Sequence, residues 1–202
     1  TLKTCEILAN DLDINIEQVL PFSTGVIGQQ LDLAKFEKGI PNATSNLSAD
    51  AIGEVAKGIL TTDLVEKTIS QQFEVNGKTI TISGVAKGSG MIRPDMATML
   101  SFVFTDVEAT QEQLQNCLNI ATNQSFNRIT VDGDTSTNDA CTLSATGASG
   151  MSISECESEF QRALNFVTKT LAHKIVKDGE GATKFVEVCV KGGATGDDCL
   201  EV

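Results

Sequence analysis

Lys87-Gly-Ser-Gly-Met-Ile-Arg-Pro-Asp-Met-Ala-Thr-Met-Leu-Ser-Phe-Val-Phe-Thr-Asp106 joins a loop to a strand. Two glycines, a proline and an Asp favour irregular backbone in its first half. From Thr98 to Phe104, Met99, Leu100, Phe102, Val103 and Phe104 leave almost no polar face, the pattern of a buried strand. The loop therefore delivers Thr98 to the mouth of a core strand, with the small Ala97 just before it. A short apolar strand that begins at a Ser, Thr or Cys is a place where a self-cleaving protein can expose a new N-terminal nucleophile. The plain reading, that Thr98 is only the polar first residue of a strand, stands beside it.

The 202 residues suffice for one domain with a sizeable core, burying about 70% of the unfolded-chain surface. Fifteen basic against 27 acidic residues give a net charge of −12, which argues against nucleic acid and anionic membrane as partners, since both reward a basic face. No apolar run approaches the ~20 residues of a membrane span, and no leader pattern opens the chain. Six scattered cysteines (Cys5, Cys117, Cys141, Cys156, Cys189 and Cys199) form no CxxC pair, so the expectation is reduced thiols and no metal site. His173 is the single histidine, read here as a solvated helix residue, so a Ser-His or Cys-His pair is a poor fit and any nucleophile needs a different base.

Residues 2–19 carry a patchy helical stripe. Pro21-Phe-Ser-Thr-Gly-Val-Ile-Gly28 has two glycines that let backbone amides converge, as an oxyanion hole requires, or simply make a turn. Ser48 caps a helix carrying Ile52, Val55, Ala56 and Ile59, which ends at the polar Thr61-Thr62-Asp63. Alternation around Asn76-Gly77 predicts a hairpin. Thr110 and Gln113 form a capping box ahead of a helix, and Phe126–Val131 is read as a strand. Asp132-Gly-Asp-Thr-Ser-Thr-Asn-Asp139 lacks the Gly and Glu of a calcium loop, leaving a solvated loop or a polar pocket wall. Ser154 and Glu157 predict a second capping box, opening a helix with Phe160, Ala163, Leu164, Val167, Leu171 and Ile175 inside. Glu180 stands between two glycines, Lys184–Lys191 alternates as a strand, and Asp197 begins the first turn of a helix. Both ends stop within an element pattern, predicting one α/β unit, residues 1–202, that is an internal fragment of a longer fold.

Together, Ser23-Thr-Gly-Val-Ile-Gly28, Thr61-Thr-Asp63, Lys87 to Leu100, Ser125 to Asp139 and Asp178-Gly-Glu-Gly181 resemble the ornithine acetyltransferase (glutamate N-acetyltransferase) family of arginine biosynthesis, across essentially the whole chain. The resemblance implies a mixed-sheet, αββα-type layered fold of the self-cleaving N-terminal-nucleophile kind. It implies scission between Ala97 and Thr98, giving α-subunit residues 1–97 and β-subunit residues 98–202 in a heterotetramer of two α and two β subunits. It further implies Thr98 as nucleophile, Thr24 and Gly25 as the oxyanion hole, and Thr61 (or Thr62), Lys87, Thr98 and Glu180 as substrate contacts. Its substrates would be N-acetylornithine and glutamate, its products ornithine and N-acetylglutamate. No cofactor is implied, with acetyl-CoA open as a co-substrate and the cytoplasm (or the mitochondrial matrix of a eukaryote) as location.

The chemistry suits these residues. A free α-amine has a pKa near 8, so roughly a tenth is neutral at pH 7 and able to take the Thr98 proton. Lys87 suits a substrate carboxylate and Glu180 a substrate amine. The competing readings are an N-terminal-nucleophile aminopeptidase, which passes the acyl group to water, and a non-catalytic acidic binding domain.

Overall fold

In the structure, a computed structural model describing residues 1–93, 99–196 and 198–200, the centre is a four-stranded mixed sheet. Its strands β1 (Lys67–Val75), β2 (Lys78–Lys87), β3 (Leu100–Thr105) and β4 (Ala140–Ala145) lie side by side in chain order. The expected hairpin is present: Asn76 and Gly77 both have positive φ (52° and 74°), the primed turn whose twist matches that of two antiparallel strands. β3 pairs antiparallel with β2, from Lys87 opposite Leu100 to Ile82 opposite Thr105, and parallel with β4. Parallel pairing requires a crossover, here the segment carrying α4 (Gln111–Asn123).

Alternation along β2 puts Ile80, Ile82, Gly84 and Ala86 on one face, where α5 (Glu157–Lys177) packs with Phe160, Leu164, Val167, Leu171 and Ile175, all buried as their spacing predicts. The helix crosses Gly84 so closely that a Cβ there would lie 2.8 Å from Leu171 Cδ1 and 3.2 Å from Val167 Cγ1. Val85 and Lys87 fall on the opposite face, with Leu100 and Phe102. Phe22 meets Phe102 edge-on there, ring centroids 5.3 Å apart. Near the N-terminus α1 (Leu2–Leu12) packs on α2 (Leu33–Ser45), and the short α3 (Ile52–Gly58) contacts β1 and β2. One sheet and one helical layer on it are thus present, half of an αββα arrangement.

Several expectations fail for physical reasons. Phe126–Val131 is no strand: Ser125 Oγ donates back to the Ala121 carbonyl, and a 3-10 turn over Phe126–Arg128 drives Phe126 into the core. The second capping box sits two residues earlier, at Ser152 and Glu155, because Met151 and Ile153 are core residues and fix the frame; the α5 N-cap, Cys156, makes no side-chain cap. Lys184–Lys191 is unpaired, with Val186 71% and Val188 80% exposed, because alternation needs a neighbouring edge and none meets it among the described residues. The first helix stops at Leu12, where Asp13 adopts a left-handed conformation. Asp198–Leu200 form a turn, and Asp197 lies outside the described residues. His173 is half-buried against Phe185, not simply solvated. β4 and α2 went unanticipated: α2 is capped by Asp32 but holds Gly39 and Pro41, which read as helix breakers, and β4 shows no clean alternation of burial.

Replacing Gly84 by Val overpacks the α5 contact. A loss of about 1–3 kcal/mol in urea unfolding followed by circular dichroism is expected, and an unchanged midpoint would contradict this packing.

Candidate active site

The site begins at Lys67, the first residue of β1. Its side chain is wholly buried, and an ammonium in that position must be paired or neutral. All three of its hydrogens are used: Nζ donates to Asp63 Oδ1 and Asp178 Oδ2, each at 2.6 Å, and to the Val65 carbonyl at 3.2 Å. Asp178, just past the end of α5, also accepts from the Leu64 and Val65 amides at 3.0 and 3.3 Å. Asp63 accepts from the Gly88 amide at 2.7 Å and the Thr61 amide at 3.3 Å. Burial by itself would raise the Asp63 carboxyl; the Lys67 ammonium and the two amides outweigh it and hold the pKa below the usual carboxylate value.

This network joins three stretches distant in sequence. Next to it, buried Ser89 links two of the sequence-predicted residues: its hydroxyl lies 2.7 Å from Thr62 Oγ1, and its carbonyl accepts from the Glu180 amide at 2.7 Å. The Glu180 carboxylate lies over Gly90, its Cδ 2.9 Å from where a Cβ would stand, so any side chain there would displace the carboxylate. Lys87, 1% exposed, closes β2 opposite the first residue of β3. Burial pushes its pKa down, Asp63 and Asp139 oppose that, and Lys67 adds to it.

Thr62, Lys87 and Glu180 therefore converge on one short loop, with Thr61 adjacent through its Asp63 contact. Thr24 and Gly25 sit on a coil tied to this corner from the other side. The Asn138 side chain donates to the Ser23 carbonyl, and Phe22 packs on β3. Ala97 and Thr98 lie outside the described residues; Met99, which follows them, donates its amide to Asp139 Oδ1 at 2.7 Å. Burial is the main cause raising Asp139 to about 6, with the Met99 amide, Ser136 and Lys87 working against it. Its Oδ2 is buried and has no partner among the described residues.

Sequence reading missed Lys67, quoted Ser89 and Asp178 only inside motif stretches with no role of their own, and took Asp63 only as part of a polar cluster. The Asp63/Lys67 spacing of four was the one available signal. Among the described residues no group of His, Cys, Asp and Glu is placed to hold a metal ion, every cysteine is a free thiol, and no helix is long and apolar enough to cross a membrane.

A buried cation network holds a lysine, a threonine and a glutamate around the start of a core strand, a polar corner on a mixed α/β fold. The chain belongs to the ArgJ family, whose profile matches residues 1–202. It is 46% identical over 205 aligned residues to an arginine biosynthesis bifunctional protein ArgJ of Pseudomonas syringae pv. tomato, covering 99% of this chain and 51% of that protein. It is 48% identical over 199 residues to a glutamate N-acetyltransferase of Methanocaldococcus jannaschii, covering 96% and 49%, and 48% identical over 203 to an ArgJ protein of Psychrobacter arcticus, covering 98% and 50%. The chain spans about half the length of these curated relatives.

Lys67→Met would strand two carboxylates in the interior. A loss of about 3–5 kcal/mol at pH 7 is expected. Asp63 would lose the ammonium that helps hold its carboxyl low while its burial stays, so its folded-state pKa would rise and the deficit should shrink as pH falls and it protonates. Urea unfolding at pH 7 and pH 4.5 checks both; a variant equal to wild type at pH 7 would refute the network's role.

Proposed function

We propose that the full-length protein carrying this chain moves an acetyl group from N-acetylornithine to glutamate through an ester on Thr98, after cutting itself between Ala97 and Thr98. The observation that supports this reading most directly is the convergence of Thr62, Lys87 and Glu180 on the loop around Ser89, upstream of the strand that follows Thr98. A cation and a carboxylate at one corner match an amino-acid substrate, with Lys87 taking the α-carboxylate and Glu180 the ornithine side-chain amine.

The proposed chemistry uses two half-reactions. The Thr98 hydroxyl attacks the acetyl carbonyl carbon and gives its proton to the α-amine of the same residue. The tetrahedral intermediate collapses to the acetyl ester, and the protonated amine returns the proton to the departing ornithine nitrogen. The glutamate amine then attacks the ester, loses a proton to the same base, and leaves as N-acetylglutamate with the hydroxyl restored. Both intermediates carry an oxyanion, for which the Thr24–Gly25 segment is the proposed donor; losing one such donor costs on the order of a hundredfold to a thousandfold in rate. A hydroxyl, an amine and amide donors cover every step, so the proposal uses no cofactor. Acetyl-CoA remains a second acetyl source to be assayed. The working unit is proposed to be two α and two β subunits in the cytoplasm.

In the full-length protein, Thr98→Ala should abolish acetyl transfer and leave one uncut chain on a denaturing gel. N-terminal sequencing of active wild type should begin at Thr98. Retained transfer in Thr98→Ala would refute the mechanism. For Glu180→Gln, the expected outcome is a rise in KM for N-acetylornithine by about tenfold or more, with glutamate KM changing much less, as loss of a charged hydrogen-bond partner predicts.

A further inference from the structure

The acidic segment 132–139 has no place in the transfer chemistry, yet its first and last residues grip the backbone on the two sides of the stretch that holds Ala97 and Thr98. Upstream, Asp132 accepts from two successive amides, Met91 to Oδ2 at 2.6 Å and Ile92 to Oδ1 at 3.0 Å. The Ile92 carbonyl in turn accepts from the Val131 amide at 2.9 Å and the Thr130 hydroxyl at 2.8 Å, and the Ile92 side chain is in the core. Downstream, Asp139 accepts from the Met99 amide at 2.7 Å, one residue before β3 begins. Asp139 is fixed by its position too, since the next residue opens β4, beside β3, with Ala140 N donating to the Met99 carbonyl at 3.1 Å.

We propose that Asp132 and Asp139 are positioning residues that brace the scissile stretch at both ends, Asp132 holding the Met91–Ile92 flank and Asp139 the Met99 flank. The inference rests on the self-cleavage reading and extends it to residues that reading leaves without a role. In the scission, the Thr98 hydroxyl oxygen bonds to the Ala97 carbonyl carbon and the peptide C–N bond breaks as the nitrogen takes up the hydroxyl proton. Water then splits the resulting ester, leaving the Ala97 carboxylate, the Thr98 hydroxyl and a free amine. Attack of a side chain on the preceding carbonyl requires a turn that an untethered loop adopts rarely. Anchoring both flanks removes much of that conformational search. Carboxylates suit the task because an ionised acceptor makes shorter and stronger bonds to amides than a neutral one. Asp132, with two oxygens on adjacent amides, also fixes their mutual orientation.

Full-length protein made by cell-free translation and sampled over time on a denaturing gel, with mass analysis, tests the brace. Wild type should convert to two pieces. Asp132→Ala and Asp139→Ala should cut about tenfold more slowly or worse, the scale of one or two hydrogen bonds to charged acceptors, with circular dichroism and thermal midpoints near wild type. Asp139→Asn keeps an acceptor for the single Met99 amide and should stay within about twofold, whereas Asp132→Asn keeps only one of two acceptors and should fall between wild type and Asp132→Ala. Wild-type scission rates in both folded Ala variants would overturn the brace, as would Asp139→Asn as slow as Asp139→Ala, since an acceptor kept for the Met99 amide would then restore nothing. If an Ala variant does not fold, the two Asn variants decide the matter: Asp132→Asn slower than Asp139→Asn supports the brace, and the reverse order or equality overturns it. An uncut wild type would remove the self-cleavage reading along with the brace, whereas a cut wild type with unaffected variants removes the brace alone.

Discussion

The Lys67 ammonium, sealed from water between Asp63 and Asp178, is the constraint on which the rest of the site depends. Buried ion pairs add little net stability, because desolvation offsets most of the attraction. What they impose is placement, since an ammonium with three fixed acceptors accepts no slipped register. Here the acceptors come from the approach to β1 and the exit of α5, and Asp63 also holds the first amide past β2. Once those are joined, Ser89 and Glu180 have little freedom left, and Thr62 is drawn in by the hydroxyl of Ser89. Stability comes from elsewhere, chiefly from the apolar face of α5 on β1 and β2.

How much of this was legible in the sequence follows from how local each signal is. The Asn76-Gly77 hairpin and the inner face of α5 depend on turn chemistry and on a single period, and both stand as read. The Phe126–Val131 segment defeated the same logic: its apolar residues serve the end of α4 and the core beneath α5, and tertiary packing overrides an apparent strand preference. Lys184–Lys191 alternates perfectly well, but pairing is a property of two strands and a sequence states only one. The site shows the same divide. Motif likeness nominated Thr62, Lys87 and Glu180, whereas Ser89, which links two of them, is a serine between glycines with no signature of its own. Asp178 reads as the polar residue after a helix, and only its 2.6 Å contact with a lysine 111 residues away reveals otherwise.

The two ends of the segment joining β2 to β3 show how one polar run supports different tasks. Asp132 and Asp139 are seven residues apart, yet the segment leading from α4 into β4 bonds through them to Ile92, past the end of β2, and to Met99, just before β3. Between them, Asn138 reaches the Ser23 carbonyl, so the segment that grips the loop also ties down the coil with Thr24 and Gly25. A shift of this segment would disturb both places at once, which explains why short side chains with many acceptors occupy it and why it resembles a metal loop without the ligand spacing of one.

Charge at this corner also bears on which ligand it would suit. Burial moves Lys87 and Asp139 toward their neutral forms, and each is partly held back by the other's charge. A ligand carboxylate near Lys87 would stabilise the ammonium, and a ligand amine near Glu180 would meet a carboxylate already lying against bare backbone at Gly90. A small zwitterion thus improves the electrostatics it finds, whereas an extended peptide would bring neutral amides to the same positions and leave the charges poorly solvated. Water as acyl acceptor gains nothing from Lys87 or Glu180, so under the proposed mechanism the charges suit an amino-acid acceptor better than water.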